Sequence, residues 1–217
     1  MPASANIALP IIPRHILGSS DANPQERRLG EKSGQTFLSG TPIQVDVAGA
    51  TGYVIACPAM TSVATAIIAG FAVEPAHNLG TSGQGSGPGG TAGGITYGSV
   101  QNQPNAKLIT DAGPIIDGTI GMAVAVDTTL FVGVLGNGSD GTLAVTAITM
   151  LATLMGLTKD ATNSYWYVDG NKTATNTGAC VEIVGFVDPV GVGLNGVGTL
   201  NGRVLFRVTK AAQQLVV

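Results

Sequence analysis

The sequence predicts a mainly β protein: an antiparallel β-barrel or sandwich with long glycine-rich loops, an extended N-terminal arm and at most one or two short helices. Three observations carry that prediction. First, short runs alternate: Ile43, Val45 and Val47 with Gln44 and Asp46, Met122, Val124 and Val126 with two alanines, and Val204, Phe206 and Val208 with Arg203, Leu205 and Arg207. Strand side chains point to opposite faces with period two, so each run has one face for a core and one for solvent or a partner. Second, 32 glycines and 11 prolines are scattered over 217 residues without a Gly-X-Y period, which supplies many turns and rules out a collagen-like rod. Third, aromatic residues are only 5% and charged residues 11%, so thin β layers of small apolar residues are expected.

Residues 1–34 form the predicted arm. It holds four of the ten basic residues (Arg14, Arg27, Arg28 and Lys32) and no sustained periodicity. Asn23 before Pro24 is a plausible start for one helical turn near 23–27. Such an arm is either a disordered tail or a strap that orders along a neighbouring subunit. The β domain spans 35–217, interrupted by a glycine-rich loop at about 76–114. Its first strands are expected at about 41–47, 52–58 and 63–74, the last from Val63, Thr65, Ile67, Ala69, Phe71 and Val73. Residues 75–106 contain no Asp, Glu, Lys or Arg, and the tail of that stretch, Gly94–Gly98, includes Tyr97 in a short edge strand.

Alternation resumes at 119–126 and 129–135 across a tight turn at Asp127–Thr129. Residues 142–150 suit a strand, and 151–156 suit a short helix better, although periods of 2 and 3.6 fit this stretch about equally. After a turn at 158–161 come Tyr165–Asp169, then strands at about 179–188 and 202–209 joined by a glycine-rich loop over 190–201. Gly70–Pro75 and Gly185–Pro189 both end in an acid followed by Pro, which stops pairing because Pro has no N–H to donate.

Residues that do chemistry are few. The two histidines, His15 and His77, lie in the arm and at the edge of the glycine loop, and no serine sits in a G-x-S-x-G elbow. Cys57 and Cys180, 123 positions apart, form neither a disulfide framework nor a C-x-x-C metal motif, and two buried free thiols are expected. The G-x-G-x-x-G pattern occurs three times, at Gly85–Gly90, Gly136–Gly141 and Gly191–Gly196. Three occurrences in one glycine-rich chain carry little information without a βαβ unit. The middle copy also resembles one unit of a calcium-binding nonapeptide repeat, but a lone unit is better read as a hairpin turn. No catalytic, cofactor-binding or metal-binding residue is assigned, and no enzyme activity is expected.

The formal net charge of −3 argues against nucleic acid as a direct partner, since phosphate contacts need clustered Lys and Arg. No apolar run approaches the roughly 18 residues that would suggest a membrane span. The start lacks the basic and apolar blocks of a signal peptide, so the chain is expected to remain in the cytoplasm or assemble there. Tyr165-Trp166-Tyr167 is the one aromatic cluster. On a strand Trp166 faces one way and the tyrosines the other, either filling a core and covering an edge or meeting another subunit.

Three blocks resemble capsid decoration, or cement, proteins of tailed bacteriophages, residues 34–47, Gly52–Ala56 and Ile68–His77, and three later ones, Gly156–Asp160, Tyr165–Asp169 and Asn201–Val208, resemble phage head proteins of similar layout. The resemblance implies a virion protein on the outer surface of the capsid, made in the host cytoplasm. Its partners would be the major capsid protein and copies of itself as a dimer or trimer, without cofactor. Candidate interface residues are Arg14, Arg27, Arg28, Tyr97, Tyr165, Trp166 and Tyr167. A phage tail or host-recognition β module is the alternative.

Overall fold

The computed structural model describes residues 11–16, 25–32, 35, 37–49, 52–60, 67–76, 91–92, 95–96, 119–137, 142–143, 145–160, 164–173, 178–193, 196–197 and 202–215. The chain is mainly β, in two principal sheets. The larger combines β1 (Ile12–Ile16), β9 (Thr129–Asn137), β10 (Thr142–Leu143), β11 (Leu154–Lys159), β12 (Trp166–Asp169), β13 (Ala179–Phe186) and β16 (Arg203–Val208). The smaller follows the order β2 (Glu26–Gly30), β8 (Thr119–Val124), β5 (Gly70–Ala72), β3 (Pro42–Val45) and β4 (Val54–Ala56). Two small hairpins, β6 (Thr91–Ala92) with β7 (Ile95–Thr96) and β14 (Val192–Gly193) with β15 (Gly196–Val197), complete the described strands. Helical structure among the described residues is limited to the 3-10 turns Ile148–Met150 and Lys210–Ala212.

Both sheets are strongly rolled. In the larger, the path from β9 through β12, β11, β13 and β16 returns to β9, but the parallel β9–β12 contact is only Val168↔Leu135 and Asp169↔Gly136. In the smaller, one parallel bridge, Glu31↔Val54, joins the residue after β2 to β4. The result is a pair of packed, curled sheets, a sandwich rather than one closed barrel.

The main core lies between them. Phe71 of the small sheet meets Phe131 and Phe206 of the large one, with ring centroids 4.5 and 6.0 Å away, and the last two rings are 5.8 Å apart. A second buried cluster, including Ile43, Val54, Ile120, Met122 and Val124, lines the other side of the small sheet. Both faces of that sheet are therefore apolar: Ile68 and Phe71 enter the main core, and Ala69 and Ala72 the second cluster.

Two pieces of the N-terminal arm are strands of the chain's own sheets: β1 pairs with β9, and β2 pairs with β8 from Glu26↔Ala123 to Gly30↔Thr119. The helical turn expected near 23–27 is corrected where it is described. Glu26 and Arg27 are extended, because pairing with β8 uses their backbone groups. The short helix expected at 151–156 is also corrected. Its end is strand β11, hydrogen-bonded to β12 on one side and β13 on the other. Met155 and Leu157 are buried while Leu154 is exposed, so sheet pairing resolved a local tie between the two periods in favour of two. Of the strand expected at 63–74, β5 covers 70–72 and Ile68 adds an isolated bridge, while 61–66 lie outside the described residues. Most of the glycine-rich loop also lies outside them. The Asp127–Thr128 turn, between strands that read as sequence neighbours, carries the chain from the small sheet to the large one.

The C-terminal segment stitches the sheets together. After β16, the Thr209 N–H donates to the Cys180 carbonyl (2.9 Å), the Ile68 N–H to Ala212 (2.7 Å) and the Gln214 N–H to Ile68 (2.9 Å). The Gln214 side chain then acts as a surrogate strand for β3: its Oε1 accepts from the Val45 N–H and its Nε2 donates to the Val45 carbonyl. Replacing it by Ala removes both bonds and is expected to cost about 1–2 kcal/mol in urea denaturation. Gln214→Glu should give no rescue, since a carboxylate would oppose the Val45 carbonyl.

Candidate interaction surface

Strand β11 and the turn before it build the most distinctive surface. Residues 141–158 contain no charged side chain. Within them Val145, Ile148, Leu151 and Leu154 are exposed, Ile148 by 65%. Val190 joins them, because the Gly191 N–H beside it donates to the carbonyl and hydroxyl oxygens of Thr146.

This apolar ridge is held in place by its own hydrogen bonds. The Met150 and Leu151 N–H groups close the 3-10 turn onto Ala147 and Ile148, and the Thr153 hydroxyl donates to the Met150 carbonyl at 2.6 Å. The Ala152 N–H donates to the Ile183 carbonyl, and the Ile183 N–H to Thr153, which ties the turn to β13. Ala152 has φ = 59°, a left-handed conformation that costs a non-glycine residue energy and persists only where the surroundings hold it. Beside the ridge lies an open groove of about 460 Å³ lined by Thr149, Met150, Thr153, Leu154, Met155, Gly170 and Thr173. Two flexible methionine side chains make such a lining adaptable to a partner's shape.

Charge borders the ridge. Leu154 is opposite Glu182, and Glu182 is opposite Arg207, across three adjacent strands. Both the Nε and Nη2 of Arg207 donate to Glu182 Oε2, at 3.0 and 2.8 Å. Further along, Arg203 grips Asp188 with Nε (3.1 Å), Nη2 (2.7 Å) and its own backbone N–H (2.9 Å). An apolar centre with a paired, partly exposed polar border is the usual anatomy of a protein–protein contact.

The residues expected to form an interface lie elsewhere. Trp166 and Tyr167 are corrected to interior positions, 4% and 0% exposed. The expected split between faces holds: Trp166 joins the main core, while Tyr167 packs with Val134 and the partly buried Tyr165. Both faces of β12 are covered by the chain itself, which withdraws Trp166 and Tyr167 from any partner. Arg27 is exposed on β2. Arg28 donates to Glu74 Oε1 at 2.8 Å, and that oxygen also accepts from the Gly121 N–H. Arg14 is the residue by which the β1–β9 register shifts. Tyr97 lies outside the described residues. The ridge was missed, although its signal, an uncharged run with large aliphatics three apart, was present in the sequence.

The remaining chemistry-bearing groups are interior or neutralised. Cys57 and Cys180 are free, buried thiols. Burial, and to a lesser degree Cys180 itself, pushes Cys57 well above the usual thiol range, and burial pushes Cys180 up to about 12. Among the described residues, no group of three or more His, Cys, Asp or Glu side chains is placed to hold a metal ion, and no helix is long and apolar enough to cross a membrane. No protein-family model, curated protein or solved structure matches the chain.

The Arg203 side-chain hydrogen bonds hold the Asp188 carboxyl below its ordinary range, against the opposing effect of burial. A depressed folded pKa means that the stabilisation is present above the unfolded value, about 3.9, and is lost as pH falls through the folded one. The stability gap between wild type and Asp188→Asn, measured by urea denaturation, should be constant from pH 7 to 5 and close below about pH 4.

Proposed function

We propose that this chain is a structural virion protein, a capsid decoration or cement protein that binds the outer face of a tailed-phage head and bridges subunits of the major capsid protein. The observation that carries the reading is the pinned, uncharged ridge of Ile148, Leu151 and Leu154 with its charged border. The sequence blocks that resemble decoration proteins point the same way, and the three that resemble phage head proteins of similar layout fall on β11, β12 and β16, the strands around or beneath the ridge.

The size of the ridge suggests how such a protein would work. A handful of half-exposed aliphatic side chains forms a patch of a few hundred Å². A stable complex buries about 800 Å² on each partner. One ridge therefore holds weakly. Lasting attachment comes from several contacts per molecule across a repeating lattice, since linked weak contacts add avidity. Bridging is thus the means of binding as well as its effect, and two tightly packed sheets suit a part that carries tension without changing shape. Copies of the chain placed at local two-fold or three-fold positions would multiply the contacts further.

The test is the stoichiometry of this chain against the major shell protein in purified particles, by quantitative mass spectrometry. A ratio near one, or a simple fraction of it, is expected. A few per cent would move the chain to the tail or a host-recognition structure, and absence from particles would sink the structural reading.

Ile148→Asp places a charge at the most exposed point of the ridge. Stability should change by no more than about 0.5 kcal/mol, as for surface substitutions generally. Occupancy of particles lacking the protein, measured by add-back and sedimentation, should fall at least tenfold at equal protein concentration.

A further inference from the structure

The chain has five methionines. Met1 lies outside the described residues, and three of the other four are sealed in the interior. Met60 and Met155 belong to the main core and Met122 to the second cluster, each no more than 3% exposed. Met150 is the exception. It is only partly buried, packs against the main core and lines the open groove beside the ridge. Met155 also lines that groove, but it is buried. The Met150 backbone is fixed: its N–H donates to the Ala147 carbonyl (2.9 Å), and its carbonyl accepts from the Thr153 hydroxyl (2.6 Å). Ile148 and Leu151, exposed aliphatics of the ridge, belong to the same turn. The one accessible thioether among the described residues therefore lies in the surface read above as the attachment site.

We propose that Met150 is an oxidation site, converted by hydrogen peroxide to the sulfoxide, and that this change switches the attachment surface off. The switch rests on the reading of the ridge as the attachment surface; the site of oxidation does not. The sulfur lone pair attacks one peroxide oxygen, an S–O bond forms as the O–O bond breaks, and the other oxygen leaves as water with both peroxide protons. The sulfur loses two electrons and the peroxide gains them. Close packing shields the three interior thioethers from the oxidant, whereas the groove admits it to Met150. Oxidation turns a flexible apolar side chain into a polar one and disrupts methionine-lined contacts, and methionine sulfoxide reductases reverse it. The new oxygen is an acceptor that a partner seated in the groove would cover, and an acceptor buried without a donor weakens binding. Thr153 cannot supply that donor, because its hydroxyl is already given to the Met150 carbonyl. Residues 141–158 hold no charged side chain to supply one either.

The experiment treats the folded, full-length protein with limiting hydrogen peroxide and follows each methionine by peptide mass spectrometry with fragment localisation. Met150 should gain one oxygen about tenfold faster than Met60, Met122 or Met155, since reactivity follows exposure. Occupancy of particles lacking the protein, by add-back and sedimentation, should then fall about tenfold for the oxidised protein, the scale set by one buried acceptor without a donor. It should recover after treatment with methionine sulfoxide reductases of both epimer specificities. Met150→Leu keeps the apolar bulk without the sulfur, and its occupancy should survive peroxide. Met150→Gln, polar from the outset, should show the loss with no peroxide at all. Oxidation of an interior methionine as fast as Met150, unchanged occupancy of the oxidised wild type, or an equal loss in peroxide-treated Met150→Leu overturns the proposal. If the untreated wild type does not attach, the attachment reading and the switch fall together, and the peptide map alone decides the oxidation site. If a variant does not fold, the map and the reductase rescue decide the question on the wild type.

Discussion

The contact of Phe71 with Phe131 and Phe206 is the interaction on which the rest of the structure depends. In a chain with so few aromatics, these three rings supply the bulk that thin layers of Ala, Val and Gly lack. A phenylalanine ring is worth about 1.5–3 kcal/mol when fully buried, and offset or tilted ring pairs add to that. The rings come from β5, β9 and β16, so the contact holds the small sheet to two strands of the large one. Room for it comes from Gly133, where a Cβ would stand 3.0 Å from the Phe206 ring.

Everything that faces outward is positioned by that joint. With the sheets fixed, the inner face of β11 sends Met155 and Leu157 into the core, and the opposite face leaves Leu154 beside Glu182 on the surface. The turn before it is drawn onto β13 by paired backbone hydrogen bonds at Ala152, Thr153 and Ile183, which stabilise a left-handed alanine that an isolated loop would not keep. The ridge is an extension of sheet structure rather than a loose loop, so a partner meeting it would have little entropy of ordering to overcome.

The same joint also collects the sulfur atoms. Cys57 and Met60 arrive on the segment that leaves the small sheet, Cys180 on a strand of the large one. The Cys180 Sγ–Met60 Sδ contact at 3.8 Å joins the sheets from within, and the C-terminal segment, through Gln214 and Val45, ties them from without. Both ties cross the boundary that the phenylalanines seal, and neither is local in sequence.

Period-two alternation is a property of neighbouring residues. Strands β3, β8, β9, β13 and β16 were therefore legible in the sequence, as were the opposite orientations of Trp166 and Tyr167 and the free state of the two cysteines. The scarcity of charge over 141–158 was legible too. Which strands pair, and which faces are covered, depends on residues far along the chain. Only the tertiary structure placed β1 and β2 of the arm in different sheets, sent the chain across from β8 to β9, and buried both faces of β12. At 151–156 helix and strand patterns were equally satisfied, and hydrogen bonding to β12 and β13 on either side decided for the strand. Local sequence determined that these segments are strands with an apolar side. The packing of two curled sheets decided which apolar side chains became core and which were left as a surface.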